Sequence, residues 1–258
     1  MGHSYLDGLF TLEGRRALVT GGSSGIGRAV AQALCAAGAE VVVTGRDTER
    51  LGGTVHALRA EGGTAAWLAA DLSGRQGAHH LADAYTQQYG HPHILVNSAG
   101  VNIRPPLGEL SEADWDHTLD VNLHAPFVLG QRFGPAMAED GWGRVIHIAS
   151  QQAVRAFGDS GAYGVSKAAL TALTRSQAEA WSRHGVCVNA IAPGFVDTPL
   201  NEAVFRDPVR TEAMARRTMA GRNGGLSDFA GAAVFLAGDA CAYVTGQTLF
   251  VDGGFSVT

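Results

Sequence analysis

Tyr163 and Lys167 stand four residues apart in Ala162-Tyr163-Gly164-Val165-Ser166-Lys167, and Ser150 lies thirteen residues upstream of the tyrosine. A free phenol titrates near pH ~10, so a tyrosine that exchanges protons near neutrality needs a cation to stabilise its phenolate. On a helix, a spacing of four brings the two side chains together on one face. Ser150 closes the apolar run Val145-Ile146-His147-Ile148-Ala149. That puts its hydroxyl at the carboxyl edge of a sheet, where a substrate oxygen could meet serine and tyrosine together. The chemistry of such a set is proton exchange with a carbinol or carbonyl oxygen. Tyr-x-x-x-Lys alone is common on exposed helices, and its weight here comes from the segments around it.

Near the start of the chain, Arg16-Ala17-Leu18-Val19-Thr20 reads as a buried strand that runs into Gly21-Gly22-Ser23-Ser24-Gly25-Ile26-Gly27. A helix follows with Val30, Ala33, Leu34 and Ala37 on one side. Strand, glycine-rich turn and helix N-terminus together make a phosphate cradle. The backbone approaches the pyrophosphate closely, and the helix offers unpaired N–H groups and the positive end of its dipole. The spacing is Gly-x-x-x-Gly-x-Gly, which departs from the Gly-x-Gly-x-x-Gly fingerprint.

The elements that must hold these residues alternate along the chain. Short apolar runs at Arg16–Thr20, Glu40–Thr44, Ala65–Ala70, Ile94–Asn97, Arg144–Ala149, Val186–Ala192 and Thr248–Val251 are separated by helical stretches. Most are continuously apolar, as parallel strands covered on both faces are. Right-handed crossovers then give an α/β fold, a doubly wound parallel sheet of about seven strands with helices on both faces. Gly21, Asn97, Ser150 and Pro193 all fall at carboxyl ends of strands, where ligands of such sheets bind. Residues 1–258 read as one domain. Within it 198–225 breaks the alternation with a charged, partly helical stretch, expected to be a lid over the substrate; the alternative is an ordinary exposed insertion.

Composition narrows the function classes. A net charge of −5 without a basic run argues against nucleic acid or an anionic membrane as the partner. Cys35, Cys187 and Cys241 are scattered, and the ten histidines form no ligand pattern, so neither a disulfide framework nor a metal site is expected. No apolar stretch is long enough to span a membrane, and Met1 to Phe10 lacks the basic start and apolar middle of a signal peptide. The expectation is a soluble, cytoplasmic protein acting on a small molecule.

The segment Thr20–Gly27 and the set Ser150, Tyr163 and Lys167 resemble the short-chain dehydrogenase/reductase family over nearly the whole chain. So do Asp71-Leu72, Asn97-Ser98-Ala99-Gly100, Asn122, Pro193-Gly194 and the terminal Asp252-Gly253-Gly254. One departure is Ser98, where the family usually has a second asparagine. The resemblance implies a Rossmann-type sheet and hydride transfer between a nicotinamide and a secondary alcohol or ketone. Asn122, Ser150, Tyr163 and Lys167 match its catalytic residues. In that scheme Lys167 depresses the phenol pKa and Asn122 carries a water chain. The cofactor positions it implies are Gly21, Ser23, Ser24, Gly25, Ile26, Gly27, Arg46, Asp71, Leu72, Asn97, Ala99, Gly100, Tyr163, Lys167, Pro193, Gly194, Val196 and Thr198. Gly45 stands where NAD-selective members carry an acid, and Arg46 follows. NADP is therefore the expected cofactor and NAD the alternative, because the second NADP cue, a basic residue at Ser24, is missing. Asp47 is expected to cap the helix beginning near Thr48.

Three residues between Tyr163 and Lys167 suit alcohol/carbonyl exchange, since enoyl-reducing relatives generally have a longer interval. The substrate wall is expected from Asn102 to Pro106, Gln151 to Arg155, Phe195 and the lid. Arg104, Gln151, Gln152 and Arg155 are its polar contacts, the arginines as carboxylate partners. With Leu9-Phe10-Thr11-Leu12-Glu13-Gly14, the chain looks closest to the gluconate 5-dehydrogenase-type branch, which implies a polyol or sugar acid. The alternatives are a 3-oxoacyl-thioester reductase and, remotely, an inactive cofactor-sensing regulator. Apolar excess on the helices starting near Ser111 and Gly161, with family habit, points to a homotetramer, with Phe255 to Thr258 at a subunit contact.

Overall fold

A computed structural model describes residues 4–258. Seven parallel strands, β1 (Arg16–Thr20), β2 (Glu40–Gly45), β3 (Ala65–Ala69), β4 (Ile94–Asn97), β5 (Gly143–Ile148), β6 (Val186–Pro193) and β7 (Thr248–Val251), form one sheet in the order β3-β2-β1-β4-β5-β6-β7. The order reverses between β1 and β4. Parallel neighbours need crossovers, and helices supply them. After α1 (Tyr5–Phe10), which precedes β1, they are α2 (Gly25–Ala36), α3 (Thr48–Ala60), α4 (Arg75–Tyr89), α5 (Glu112–Leu119), α6 (Ala125–Glu139), α7 (Gly161–Trp181), α8 (Glu202–Phe205), α9 (Pro208–Arg216) and α10 (Ala230–Ala237).

Side chains alternate across a strand, so each central strand feeds two cores. Val19, Val41, Val96 and Ile146 pack with Val30, Leu34, Leu51 and Leu236 of α2, α3 and α10. Leu18, Leu95, Val145 and Val188 pack with Leu81, Tyr85, Leu129 and Phe133 of α4 and α6. Two covered faces explain the unbroken apolar runs. The edges are less covered: Trp67 on β3 and Leu249 on β7 are each about two-fifths exposed.

Asp47 caps α3 as expected, its carboxylate accepting the Arg50 N–H at 3.0 Å. The stretch read as one helix from Ser111 instead has Asp120–His124 as a π-turn between α5 and α6, with the Ala125 N–H donating to the Asp120 carbonyl. Such single-turn bulges re-aim a side chain, and this one holds Asn122. Within 198–225 the structure has α8 and α9, each on a short connecting turn.

Candidate active site

A cavity of about 670 Å³ lies over the carboxyl ends of the strands at the reversal of strand order. At one end Gly21 and Ser23–Gly27 form its wall after β1, with Ser98–Gly100 after β4 packed beside Gly21. The turn must be bare at Gly27, where a Cβ would fall 2.3 Å from the Gly21 carbonyl oxygen. Ser24, at the N-cap of α2, makes no side-chain capping bond, so its hydroxyl does not compete for the first N–H groups of the helix. Thr20 fixes the facing turn: its hydroxyl accepts the N–H groups of Ser98 and Ala99, both at 3.1 Å. The chemistry of this donor set fits a pyrophosphate.

Further along the wall come Thr44, Gly45, Arg46, Asp47 and Arg50, then Ala70, Asp71 and Leu72. A Cβ on Gly45 would meet the Ser23 hydroxyl at 3.2 Å. The Asp47 carboxylate is tied to its own helix, capping α3 and pairing with the Arg50 Nε at 3.2 Å. Asp71 is held below the usual carboxylate range, first by the N–H of Ser73 at 3.0 Å. The Thr44 hydroxyl is buried without a partner. These are features of a wall that fits an anionic ribose.

At the other end Ser150, Tyr163 and Lys167 come together. Ser150 follows β5, and its Oγ accepts the Gln152 N–H at 3.1 Å. Tyr163 and Lys167 lie on one face of α7, the Lys167 Nζ 5.6 Å from the centre of the phenol ring. Lys167 donates to the Ile148 carbonyl at 2.7 Å. Burial pulls its amine down to about 8. Burial likewise pushes the Tyr163 phenol up, against a hydrogen bond with Ser150 and the field of Arg104, which lower it. Depression of the phenol by Lys167, expected from the spacing, is thus not what dominates: desolvation wins. A phenol kept protonated and hydrogen-bonded to Ser150 is a proton donor for an oxygen arriving between them.

Asn122 does not line the cavity. Completely buried, it bridges Val101, accepting its N–H at 2.9 Å and donating to its carbonyl at 3.0 Å, and donates to the Ser166 hydroxyl at 3.0 Å. It thereby fixes the strand-end loop beside Gly100, close to the Lys167 amine.

Two expectations are corrected, that of Asn97 as a cofactor residue and that of Arg104 and Arg155 as substrate contacts. Asn97 faces away from the cavity into a buried network, its Nδ2 3.2 Å from Nδ1 of His147, whose Nε2 is 3.0 Å from the Gln177 Oε1. The β4–β5 register sets Asn97 beside His147. The Val196 side chain packs in the core, its backbone bridging to Gly224, while its neighbours Pro193, Gly194 and Thr198 do line the cavity. Arg104 and Arg155 are not on the wall either. Arg104 donates to the Gly158 and Asp159 carbonyls at 2.6 and 3.3 Å, and Arg155 to those of Ser256 and Thr258 at 2.9 and 2.5 Å. Main-chain oxygens engage both guanidiniums.

The polar substrate end is left to Asn102, Gln151 and Gln152, with Phe195 and Pro199–Asn201 opposite. Gln152 accepts from the Ser160 hydroxyl at 2.7 Å. The Gln151 Oε1 and Asn102 Oδ1 are buried acceptors with no partner, and Gln151 is only 2% exposed. Sequence reasoning missed Thr44, Ser98 and Arg50 as lining residues. Ser98 stood inside a quoted motif, and Arg50 lies in the first turn of α3, three residues after the Asp47 cap that the sequence did identify.

Comparison with known proteins agrees with this geometry. The family model described as enoyl-(acyl carrier protein) reductase matches residues 21–256. Gluconate 5-dehydrogenase of Gluconobacter oxydans (strain 621H) is 39% identical over 250 residues, covering 97% of this chain and 98% of that protein. The 2-dehydro-3-deoxy-D-gluconate 5-dehydrogenase of Bacillus subtilis (strain 168) is 38% identical over 253 residues, covering 97% and 98%. The crystal structure of a gluconate 5-dehydrogenase from Burkholderia cenocepacia J2315, in complex with NADP and tartrate, superposes with a TM-score of 0.93 at 36% identity, covering 98% of this chain and all of that one. Among the described residues no helix is long and apolar enough to cross a membrane, and no group of His, Cys, Asp or Glu side chains is arranged to hold a metal. With a glycine-rich nucleotide cradle and a Ser–Tyr–Lys cluster at opposite ends of one cavity, the chain belongs to the short-chain dehydrogenase/reductase family and is an NAD(P)-dependent oxidoreductase acting on CH–OH groups.

Proposed function

We propose that this enzyme interconverts a secondary alcohol and a ketone on a polyol or sugar acid such as gluconate/5-ketogluconate, using NADP(H). The observation that carries the reading is the single cavity joining the Arg46 wall, the glycine-rich turn and the Ser150–Tyr163 pair to the amide side chains of Asn102, Gln151 and Gln152. The Gluconobacter and Bacillus relatives are named as a gluconate 5-dehydrogenase and a 2-dehydro-3-deoxy-D-gluconate 5-dehydrogenase, and the Burkholderia structure holds NADP and tartrate.

Gly21, Ser23–Gly27, Asp71, Leu72, Ala99 and Gly100 hold the nucleotide, Gly45 leaves room for a 2′-phosphate, and Arg46 pairs with it. Bound there, the nicotinamide accepts or gives a hydride. Tyr163 protonates the developing alkoxide during reduction and takes the hydroxyl proton during oxidation, while the Ser150 hydroxyl holds the same oxygen. Lys167, close enough to the phenol to bias it, orients the ribose and supplies positive charge when protonated. Asn122 acts by holding the Val101 loop in place. Pro193, Gly194, Val196 and Thr198 complete the nicotinamide end, Val196 through its backbone. Residues 198–225 serve as the lid of a single catalytic unit.

Substrate choice follows from the polar lining. Asn102, Gln151 and Gln152 give the substrate end amide groups, which suit a hydroxylated chain better than an acyl chain. That weighs against the 3-oxoacyl-thioester reading, and the short Tyr163–Lys167 interval weighs against enoyl reduction. A panel of gluconate, 5-ketogluconate and an acetoacetyl thioester, each with NADP(H) and NAD(H), tests it. Turnover of the sugar acid with NADP(H) is expected, and activity confined to the thioester would defeat the reading. For assembly we favour a homotetramer, or failing that a dimer, supported by exposed Phe127 and Val165 on α6 and α7 and by the open edge of β7. Light scattering at micromolar concentration tests this, a fully active monomer being the contrary result. Phe255, expected at a subunit contact, is buried within its own chain, leaving Val257 as the exposed apolar residue of that turn.

A further inference from the structure

Phe157 lies between Ser150 and Tyr163 in the chain, on the loop that leads into α7. The loop's main-chain N–H bonds are local, Val154 and Arg155 to the Gln151 carbonyl and Ser160 to that of Phe157. Its position therefore depends on side chains. The Phe157 ring meets Phe195 at 5.2 Å and Phe255 at 6.0 Å between centroids, and those two rings meet at 5.8 Å. Phe195 is part of the wall at the substrate end of the cavity.

Two guanidiniums lie over the Phe157 ring, that of Arg217 at 5.2 Å and that of Arg104 at 6.0 Å from its centroid. Arg217 follows α9 in the stretch proposed as the lid, and it also lies 4.3 Å over Phe255. Arg104 reaches from beyond β4 and holds the carbonyls of Gly158 and Asp159. Asp159 has a left-handed backbone, with φ of 55°. Such a conformation persists in a non-glycine residue where its surroundings hold it. A ring face is negative and attracts a cation placed over it, so the arrangement is directional as well as apolar.

We infer that Phe157 is a positioning residue, its ring joining Arg217 of the lid segment to Phe195 of the substrate wall. Lid placement and wall placement are then one equilibrium, and loosening the ring lowers the fraction of enzyme whose wall is set for substrate. Apparent substrate affinity falls by that fraction, while the chemical step of the enzyme that does close is unaltered. The inference rests on the reading of the Ser150–Tyr163 end as the substrate site.

Phe157→Leu keeps apolar bulk and removes the ring face, Phe157→Tyr keeps the face, and Arg217→Gln removes one cation from an exposed position where folding is not at stake. Phe157→Leu should raise the KM for the carbonyl substrate about tenfold and Arg217→Gln about threefold, in keeping with the strength of a cation–π interaction. Turnover number and NADPH Kd should stay near wild type, and Phe157→Tyr should behave as wild type. The double variant should fall short of the product of the two single effects, because part of what Arg217→Gln removes is its contact with the Phe157 ring. Amide hydrogen exchange should quicken in both variants over residues 154–160 and 194–200 together, a reading that needs no turnover and survives an error about the substrate. Leucine matching tyrosine in KM, additive effects in the double variant, or exchange that is unchanged or quickened in only one segment would each overturn the inference.

Discussion

Gly45→Asp should reverse the choice of nucleotide. The structure has room for the change: a Cβ at this position meets the Ser23 hydroxyl at 3.2 Å and Leu51 at 3.7 Å, so the serine needs to yield by only a few tenths of an ångström. The new carboxylate enters the wall that already presents Arg46 and Arg50, with Asp47 paired to Arg50. A carboxylate about 5 Å from a dianionic phosphate, at an effective dielectric of about 40–80, costs about 2–3 kcal/mol. That is roughly a 30- to 150-fold loss of NADPH affinity at low salt. NADH, offering a ribose hydroxyl instead, gains a charge-assisted hydrogen bond of about 1.5 kcal/mol, roughly tenfold. The ratio of affinities should therefore move by two to three orders of magnitude. Nicotinamide fluorescence titrations with NADPH and NADH, at low and at ~0.5 M salt, read this directly, and salt should shrink the NADPH penalty. A wild-type enzyme that already favours NADH, or a Gly45→Asp variant that weakens both nucleotides equally, would refute the reasoning.

Two further predictions follow from buried titratable groups. His147 is neutral in its network with Asn97 and Gln177, and burial pulls it down to about 4. The unfolded chain binds a proton near pH 6.5, so the unfolded state gains protons first and stability falls as pH drops from about 6.5 to 4, by about 3 kcal/mol. Urea midpoints should show that slope in wild type and lose it in His147→Gln; an identical slope in both would count against the network. Lys167, pulled down to about 8, binds its proton less tightly folded than unfolded, so its burial costs stability below pH 8 and the cost is relieved as pH rises toward 10.5. Lys167→Met should therefore stabilise the cofactor-free protein at pH 7 by about 1–3 kcal/mol while removing activity, and a destabilised variant would contradict the assigned cost.

Sequence pattern carried the framework because apolar runs under two helical layers have few alternatives: β1, β4 and β7 begin and end at the expected residues. The glycine-rich turn and the Ser150, Tyr163 and Lys167 positions were legible for the same local reason, since each lies at a strand end or on one helix face. What failed depended on partners distant in sequence. The π-turn at Asn122 is bound up with its bridge to Val101, twenty-one residues away, and helical periodicity runs through it unmarked. Arg104 and Arg155 were read as carboxylate partners, but the carbonyls that engage them lie on the loop before α7 and in the C-terminal turn, which no spacing rule joins to them. Asn97 lies in the expected motif, and only the β4–β5 register reveals that His147 claims it.

Turnover by the Tyr163→Phe enzyme tests the central claim most directly. The variant keeps the buried ring and removes only the hydroxyl that donates and accepts the proton. Assayed by NADPH oxidation with 5-ketogluconate, it should lose about 10²–10⁴ in kcat, the usual weight of general acid–base assistance, with NADPH affinity and thermal midpoint close to wild type. Near-normal turnover in that variant would contradict the account.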